Sequence, residues 1–87
     1  MIHVSYHKNF LKSSRNLPEF QQKKLLQIIE ILMEDPFSPL LHTKRLTKEL
    51  AGFLSFRITR DWRVIFQFLD PTTIQLLRVK HRKDIYR

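Results

Sequence analysis

The second half of the chain carries Lys44, Arg57, Arg63, Lys80 and Arg82 together with one histidine, His81, and a tyrosine near the end, Tyr86. Arginine presents a planar fork that matches a phosphate, histidine exchanges a proton near neutrality, and tyrosine stacks on an unpaired base. Such a set suits an anion, and RNA offers it chemistry. Cleavage without a metal uses the ribose 2′-OH as nucleophile on the adjacent phosphate. It needs a base for that hydroxyl, cations for the developing charge and an acid for the leaving oxygen. Lys44, Arg57, Arg63, His81, Arg82 and Tyr86 can fill those roles without a carboxylate. DNA lacks the 2′-OH, so the same groups would bind it without cutting it in this way.

The charge balance points to the same partner. Of 87 residues, 16 are Lys or Arg and 8 are Asp or Glu, a formal net charge of +8. The excess is uneven: residues 1–41 hold five basic and four acidic side chains, residues 42–87 eleven and four. A basic stretch of this kind usually meets nucleic acid, and an acidic protein surface is the other candidate. Arg45, Lys48, Arg60, Arg78, Lys83 and Arg87 extend the candidate RNA-binding surface around Lys44 and Lys80. Cysteine is absent, which excludes disulfides, Cys-zinc sites and thiol nucleophiles. No acidic pair has metal-ligand spacing, no Ser-His-Asp arrangement is present, and one glycine cannot build a phosphate-cradling loop. Neither a cofactor nor a structural metal is expected. His3, third from the amino end, is in a position that can chelate Cu(II) or Ni(II) in a square plane. The start shows no secretory signal and no apolar run approaches the roughly 20 residues of a membrane span. The expectation is a cytoplasmic protein without a membrane partner, folded as a single domain over residues 1–87.

The elements that position these residues read as α+β. Residues 2–6 alternate apolar and polar as a strand, and residues 7–15 form a weak helical stretch. Asn16 is expected to cap a second helix, with Pro18 in its first turn and Glu19 at the capping-box position. Leu25, Ile28, Ile29 and Leu32 give that helix one apolar face, and Asp35-Pro36 ends it. Pro39 is expected to keep the following loop extended. A helical hairpin with one apolar stripe needs a surface to lie on. Phe53–Thr59, Val64–Leu69 and Ile74–His81, rich in β-branched and aromatic residues, supply a three-stranded antiparallel block.

Pattern also sets the register. A three-residue loop at Arg60–Trp62 pairs Thr59 with Arg63 and places Leu54, Phe56, Ile58, Val64, Phe66 and Phe68 on the helix side. Closing the next hairpin with Asp70-Pro71-Thr72-Thr73 leaves Leu77 and Val79 inside. Ser55, Arg57, Thr59, Arg63 and Gln67 then share the open face with Arg78, Lys80 and Arg82, so Arg57, Arg63, Lys80 and Arg82 converge there without an acidic partner.

With these pieces in place the chain resembles the RelE/ParE superfamily of bacterial type II toxin–antitoxin toxins over almost its whole length. The resemblance lies in the Leu17-Pro18 helix start, the stretch from Leu32 through Asp35-Pro36, and Lys44-Arg45-Leu46. It continues in 50–58 (LAGFLSFRI), 61–66 (DWRVIF) and the ending 81–87 (HRKDIYR). It implies a strand, a helical hairpin, a three-stranded antiparallel block and a short C-terminal tail. It also implies a ribosome-dependent mRNA endonuclease neutralised by a cognate acidic antitoxin, with operator DNA reached only through the antitoxin complex. In that comparison Arg63 matches the arginine that stabilises the scissile phosphate. Arg57 lies at a Lys/Arg position implicated as base, Arg82 or His81 at the terminal acid, and Tyr86 at the aromatic that orients substrate. Lys44 stands where YoeB-like members carry a glutamate base, and would have to be neutral to accept a proton. Arg63→Ala is expected to abolish toxicity with the fold intact. The alternatives are a ParE-like toxin that inhibits DNA gyrase without nuclease activity and a non-catalytic basic RNA-binding module.

Overall fold

The computed structural model describes residues 1–85; Tyr86 and Arg87 lie outside the described residues. The chain opens with β1 (His3–Tyr6) and α1 (Lys8–Ser14), the latter started by His7, whose Nδ1 accepts the Asn9 N–H at 3.0 Å. Next comes α2 (Glu19–Glu34). Leu25, Ile28, Ile29 and Leu32 recur at helical spacing, and all four are buried, so α2 lies with that face on the sheet. The helix ends at Asp35, as expected from the proline that follows it.

The second half forms β2 (Lys44–Arg45), β3 (Leu54–Arg57), β4 (Trp62–Asp70), β5 (Thr73–His81) and a short α3 (Arg82–Ile85). The expected three-stranded block is thus the centre of a five-stranded sheet ordered β1-β5-β4-β3-β2, with β1 parallel to β5 and the other pairs antiparallel. Leu54, Phe56, Ile58, Val64, Phe66, Ile74, Leu76 and Val79 line its inner face against Phe10, Leu17, Leu41 and the α2 stripe. β1 accompanies β5 only as far as Leu76. Beyond it the Val79 N–H is taken up by Ser13 Oγ of α1 at 2.9 Å, so a helix hydroxyl finishes the edge.

Four local expectations are corrected. Asn16 does not cap α2: its N–H and that of Leu17 bond to the Ser13 and Ser14 carbonyls, which makes Asn16 part of the exit from α1. Pro18 occupies the N-cap without a side-chain bond, while Gln22 Nε2 donates to the Leu17 carbonyl at 2.8 Å. Pro39 opens a 3₁₀ turn (Pro39–Leu41), with Ser38 Oγ accepting the Leu40 N–H, instead of an extended loop. The β3–β4 loop has three residues, but they are 59–61 and not 60–62: Ile58 N–H bonds the Trp62 carbonyl at 2.9 Å and Arg57 pairs Arg63. Moving the centre of the loop by one residue changes the pairing by two, so the faces are preserved. Finally, a register shift between Ile65 and Phe66 leaves Leu77 out of the β4–β5 ladder. Leu76 enters the core in its place and Leu77 turns to the other face, half-buried.

The β4–β5 turn is held by Asp70, whose Oδ1 accepts the Thr72 N–H at 2.9 Å and the Thr72 hydroxyl at 3.1 Å. The Thr72 backbone bond, followed by the Thr73 side chain, holds the Asp70 carboxyl below its ordinary value. No helix among the described residues is long and apolar enough to cross a membrane. Because Ser13 Oγ accepts the Val79 N–H at the end of the β1 edge, Ser13→Ala should cost about 1 kcal/mol. In a thermal melt that is a loss of about 5 °C for a domain of this size; an unchanged midpoint would show that the edge does not depend on the hydroxyl.

Candidate functional site

Ladder pairing places side chains side by side across the outer face of the sheet. Arg57 pairs Arg63 and Arg63 pairs Lys80, which makes one row of three cations on β3, β4 and β5. Two residues along each strand lies a second row: Lys44 opposite Ser55, Ser55 opposite Ile65, Ile65 opposite Arg78. A third, neutral row joins Gln67 to Gln75, with Gln67 Nε2 donating to Gln75 Oε1 at 3.1 Å, and Gln75 to Ser5. The middle of this face is covered, since Ser55 is 0% and Ile65 4% exposed. The 3₁₀ turn Lys48–Leu50 and α3 bound a groove of about 510 Å³ beside it, which reaches from Lys44 and Arg45 to Asp84 and Ile85.

The two arginines of the first row are held differently. Arg63 is 7% exposed, and its Nη1 donates to the carbonyls of Thr59 at 2.7 Å and Arg60 at 2.8 Å. These bonds tie the guanidinium to the β3–β4 loop and centre that loop where it is. Arg57 is different: its Nε is buried and meets no hydrogen-bond acceptor among the described residues. A buried donor without an acceptor costs free energy that a bound anion would return.

Other candidate residues divide around this row. Lys44, opposite Ser55, is on the same face of the sheet, and Arg78 and Lys80 are there as expected. Arg45, one residue on, belongs to the other face, with its guanidinium 5.8 Å from the Phe37 ring. His81 is paired with Trp62, so it faces away from Arg63 and Lys80. Its ring meets Trp62 edge-on at 5.2 Å and its Nδ1 accepts the Lys83 N–H at 3.3 Å, which leaves the proton of the neutral ring on Nε2. Arg82 leaves the strand as the first residue of α3; its N–H bonds the Asp61 carbonyl at 2.8 Å and its Nε lies 3.8 Å from Asp61 Oδ1. The open face therefore has an acid at its end, Asp61, which sequence pattern did not place there. Lys48 enters its turn with a left-handed backbone, φ 57°, beside the groove, while Arg60 and Lys83 are exposed around the margin. Tyr86 and Arg87 follow Ile85 outside the described residues. The Ile2 and His3 amides, which square-planar copper would have to bind, are donated to the Met33 and Thr72 carbonyls at 2.9 and 2.8 Å. The second row was hidden from sequence reading because β2 is two residues long and Ser55 carries no charge.

Residues 4–86 match the family model described as the ParE toxin of type II toxin–antitoxin system, parDE. The chain belongs to this family of toxins. Within the wider RelE/ParE superfamily it is 37% identical to Toxin RelG of Mycobacterium tuberculosis over 75 residues, 84% of this chain and 85% of that protein. The toxin–antitoxin complex RelBE2 from Mycobacterium tuberculosis contains a chain 26% identical, with a TM-score of 0.77 over 93% of this chain and 98% of that one. YafQ from Escherichia coli strain BL21(DE3) shares the fold at 15% identity, with a TM-score of 0.77 and full coverage of both chains. This toxin thus has the mixed α/β architecture of its superfamily, with the cationic row on the outer face of the sheet.

The two short bonds from Arg63 to the loop add a structural role to the one expected of it. Arg63→Ala should lower stability by about 2 kcal/mol, the scale of buried charge-assisted bonds, measured by urea denaturation. An unchanged urea midpoint would show that the loop holds without the guanidinium.

Proposed function

We propose that this toxin is a metal-independent endoribonuclease that cuts mRNA on the ribosome and so stops translation in the cytoplasm. The observation that carries the reading is the Arg57–Arg63–Lys80 row, with the unpartnered Arg57 Nε inside it. A phosphate bridging the row receives charge-assisted bonds from two guanidinium forks and an ammonium. As the 2′-oxygen bonds to phosphorus and the bond to the 5′-oxygen breaks, negative charge builds on the non-bridging oxygens, where Arg57 and Arg63 stabilise it. The products are a 2′,3′-cyclic phosphate and a 5′-hydroxyl.

Arginine does not release its proton in proteins, so Lys80 is the member of the row able to protonate the leaving 5′-oxygen. The row has no carboxylate to accept the 2′-OH proton. We assign that step to Lys44 on β2 or to Tyr86; His81, the last residue of β5, faces away from the row, and Arg82, like the other arginines, keeps its proton and serves as a cation. An acid–base set spread in this way depends on the RNA being held in line for attack, a task we give to the ribosome. Lys44, Arg45, Lys48, Arg60, Arg78, Lys83 and Arg87 serve as the surrounding RNA-binding cations.

The partner that silences the toxin is a cognate acidic antitoxin. Solved relatives support this, including the archaeal RelE–RelB complex from Pyrococcus horikoshii OT3, 24% identical with a TM-score of 0.76. On this chain a second contact surface suits the same partner: an apolar groove of about 510 Å³ between α1 and α2, where Tyr6, Leu11 and Leu26 are exposed.

Arg57→Ala separates the chemistry from the support of the loop, because Arg57 Nε meets no acceptor among the described residues whereas Arg63 holds the loop. In a translation reaction with a defined transcript, mapped by primer extension, it should cut about 10²-fold more slowly than wild type while unfolding at no lower urea concentration. Wild-type rates from Arg57→Ala would remove the row from the mechanism. An intact transcript from folded wild-type protein, together with inhibited DNA supercoiling by gyrase, would replace the nuclease reading with gyrase inhibition.

A further inference from the structure

An apolar patch interrupts the cationic face, and phosphate chemistry alone gives it no use. Ile65 lies between Ser55 and Arg78 in the second row, two residues from Arg63 along β4. The bulge adds Leu77 from β5, re-aimed out of the core, and Leu50 and Phe53 line the same pocket. Together they enclose a pocket of about 170 Å³ whose mouth carries Arg78 and Lys80, with Asp84 completing the lining. Lys80 belongs both to this pocket and to the phosphate row.

We propose that this pocket receives one unstacked nucleobase of the bound strand while the adjoining phosphate sits on the Arg57–Arg63–Lys80 row. The proposal rests on the RNA reading of that row and adds a second contact for the same strand. Its distances agree: at a strand rise of about 3.4 Å, the pocket floor at Ile65 lies about 7 Å from the row, within one nucleotide's reach. The volume, about 170 Å³, is on the scale of a single base. Chemistry also agrees, because a nucleotide presents an apolar ring face next to a charged phosphate, and single-strand sites pair ring-binding surfaces with cations for that reason. Leu50, Ile65 and Leu77 grip a ring through its faces and not through its hydrogen-bonding edge. The site therefore accepts any of the four bases more readily than it selects one.

The test uses methyl spectra of the wild-type toxin with AMP, CMP, GMP or UMP, and with ribose 5-phosphate and inorganic phosphate as base-free probes. Nucleotides should shift the Ile65 and Leu77 methyls and bind about tenfold more tightly than ribose 5-phosphate. The base-free probes should perturb the cationic row and leave those methyls in place. Leu77→Gln should erase the tenfold difference without weakening ribose 5-phosphate, and Leu77→Met should keep it. Nucleotides binding no better than ribose 5-phosphate, or leaving both methyls unmoved, would overturn the proposal; the wild-type spectra decide this whatever the variants do. Shifted methyls beside an uncut transcript would keep the pocket and reject the nuclease, whereas cutting with unmoved methyls would do the reverse.

Discussion

Side chains directly opposite on neighbouring strands stand about 5 Å apart at Cβ, and Arg57, Arg63 and Lys80 hold that relation across three strands. Like charges so placed repel, and the backbone ladder prevents them from separating. Only a few outcomes are physically open to such a row: an acid among it, water over it, or an anion on it. Two acids flank the row without joining it: Asp61 lies 3.8 Å from Arg82 Nε, and Asp84 lines the pocket beside Lys80. Arg57 Nε is buried and meets no acceptor among the described residues, while Arg57 and Lys80 are otherwise half-buried, so the row is reachable from outside. An anion relieves the repulsion more fully than water does, because it brings the opposite charge to all three cations.

The fold keeps this arrangement by dividing labour between two arginines. Arg63 spends one nitrogen on the Thr59 and Arg60 carbonyls, which sets the loop, and the loop sets the pairing that brings Arg57 opposite Arg63. The site and its support are therefore partly the same atoms. Behind the sheet, Leu32, Phe56, Phe66 and Leu76, each 0% exposed, fix the strands against α2. Rigidity there is what lets three cations remain side by side.

Much of this could be read from the residues. Alternation along Leu54, Phe56 and Ile58 and along Val64, Phe66 and Phe68 requires one buried face, and parity then puts Arg57, Arg63 and Lys80 on the other face, while the loop position decides which of them stand directly opposite. The loop itself was legible in length and not in position, because Trp62 can be assigned to loop or strand until its packing against the core is known. Leu77 was misplaced since two adjacent leucines give a period-two pattern no means of announcing a bulge. Asn16 has the side chain of a helix cap, but the carbonyls at the end of α1 took its backbone first. His81 and Arg82 needed the strand end and the start of α3, which a continuous basic run conceals. Membership of the RelE/ParE superfamily was legible in the order of weak motifs, and residues 4–86 match the ParE toxin family model.

If self-repulsion of the row is its defining property, phosphate should stabilise the toxin through Arg57 itself. The direct measurement is thermal unfolding of wild type and Arg57→Gln at constant ionic strength as phosphate replaces chloride. The account predicts that Arg57→Gln is the more stable protein in chloride, and that wild type overtakes it as phosphate fills the row. Equal responses of the two proteins to phosphate, or a wild type already more stable in chloride, would contradict it.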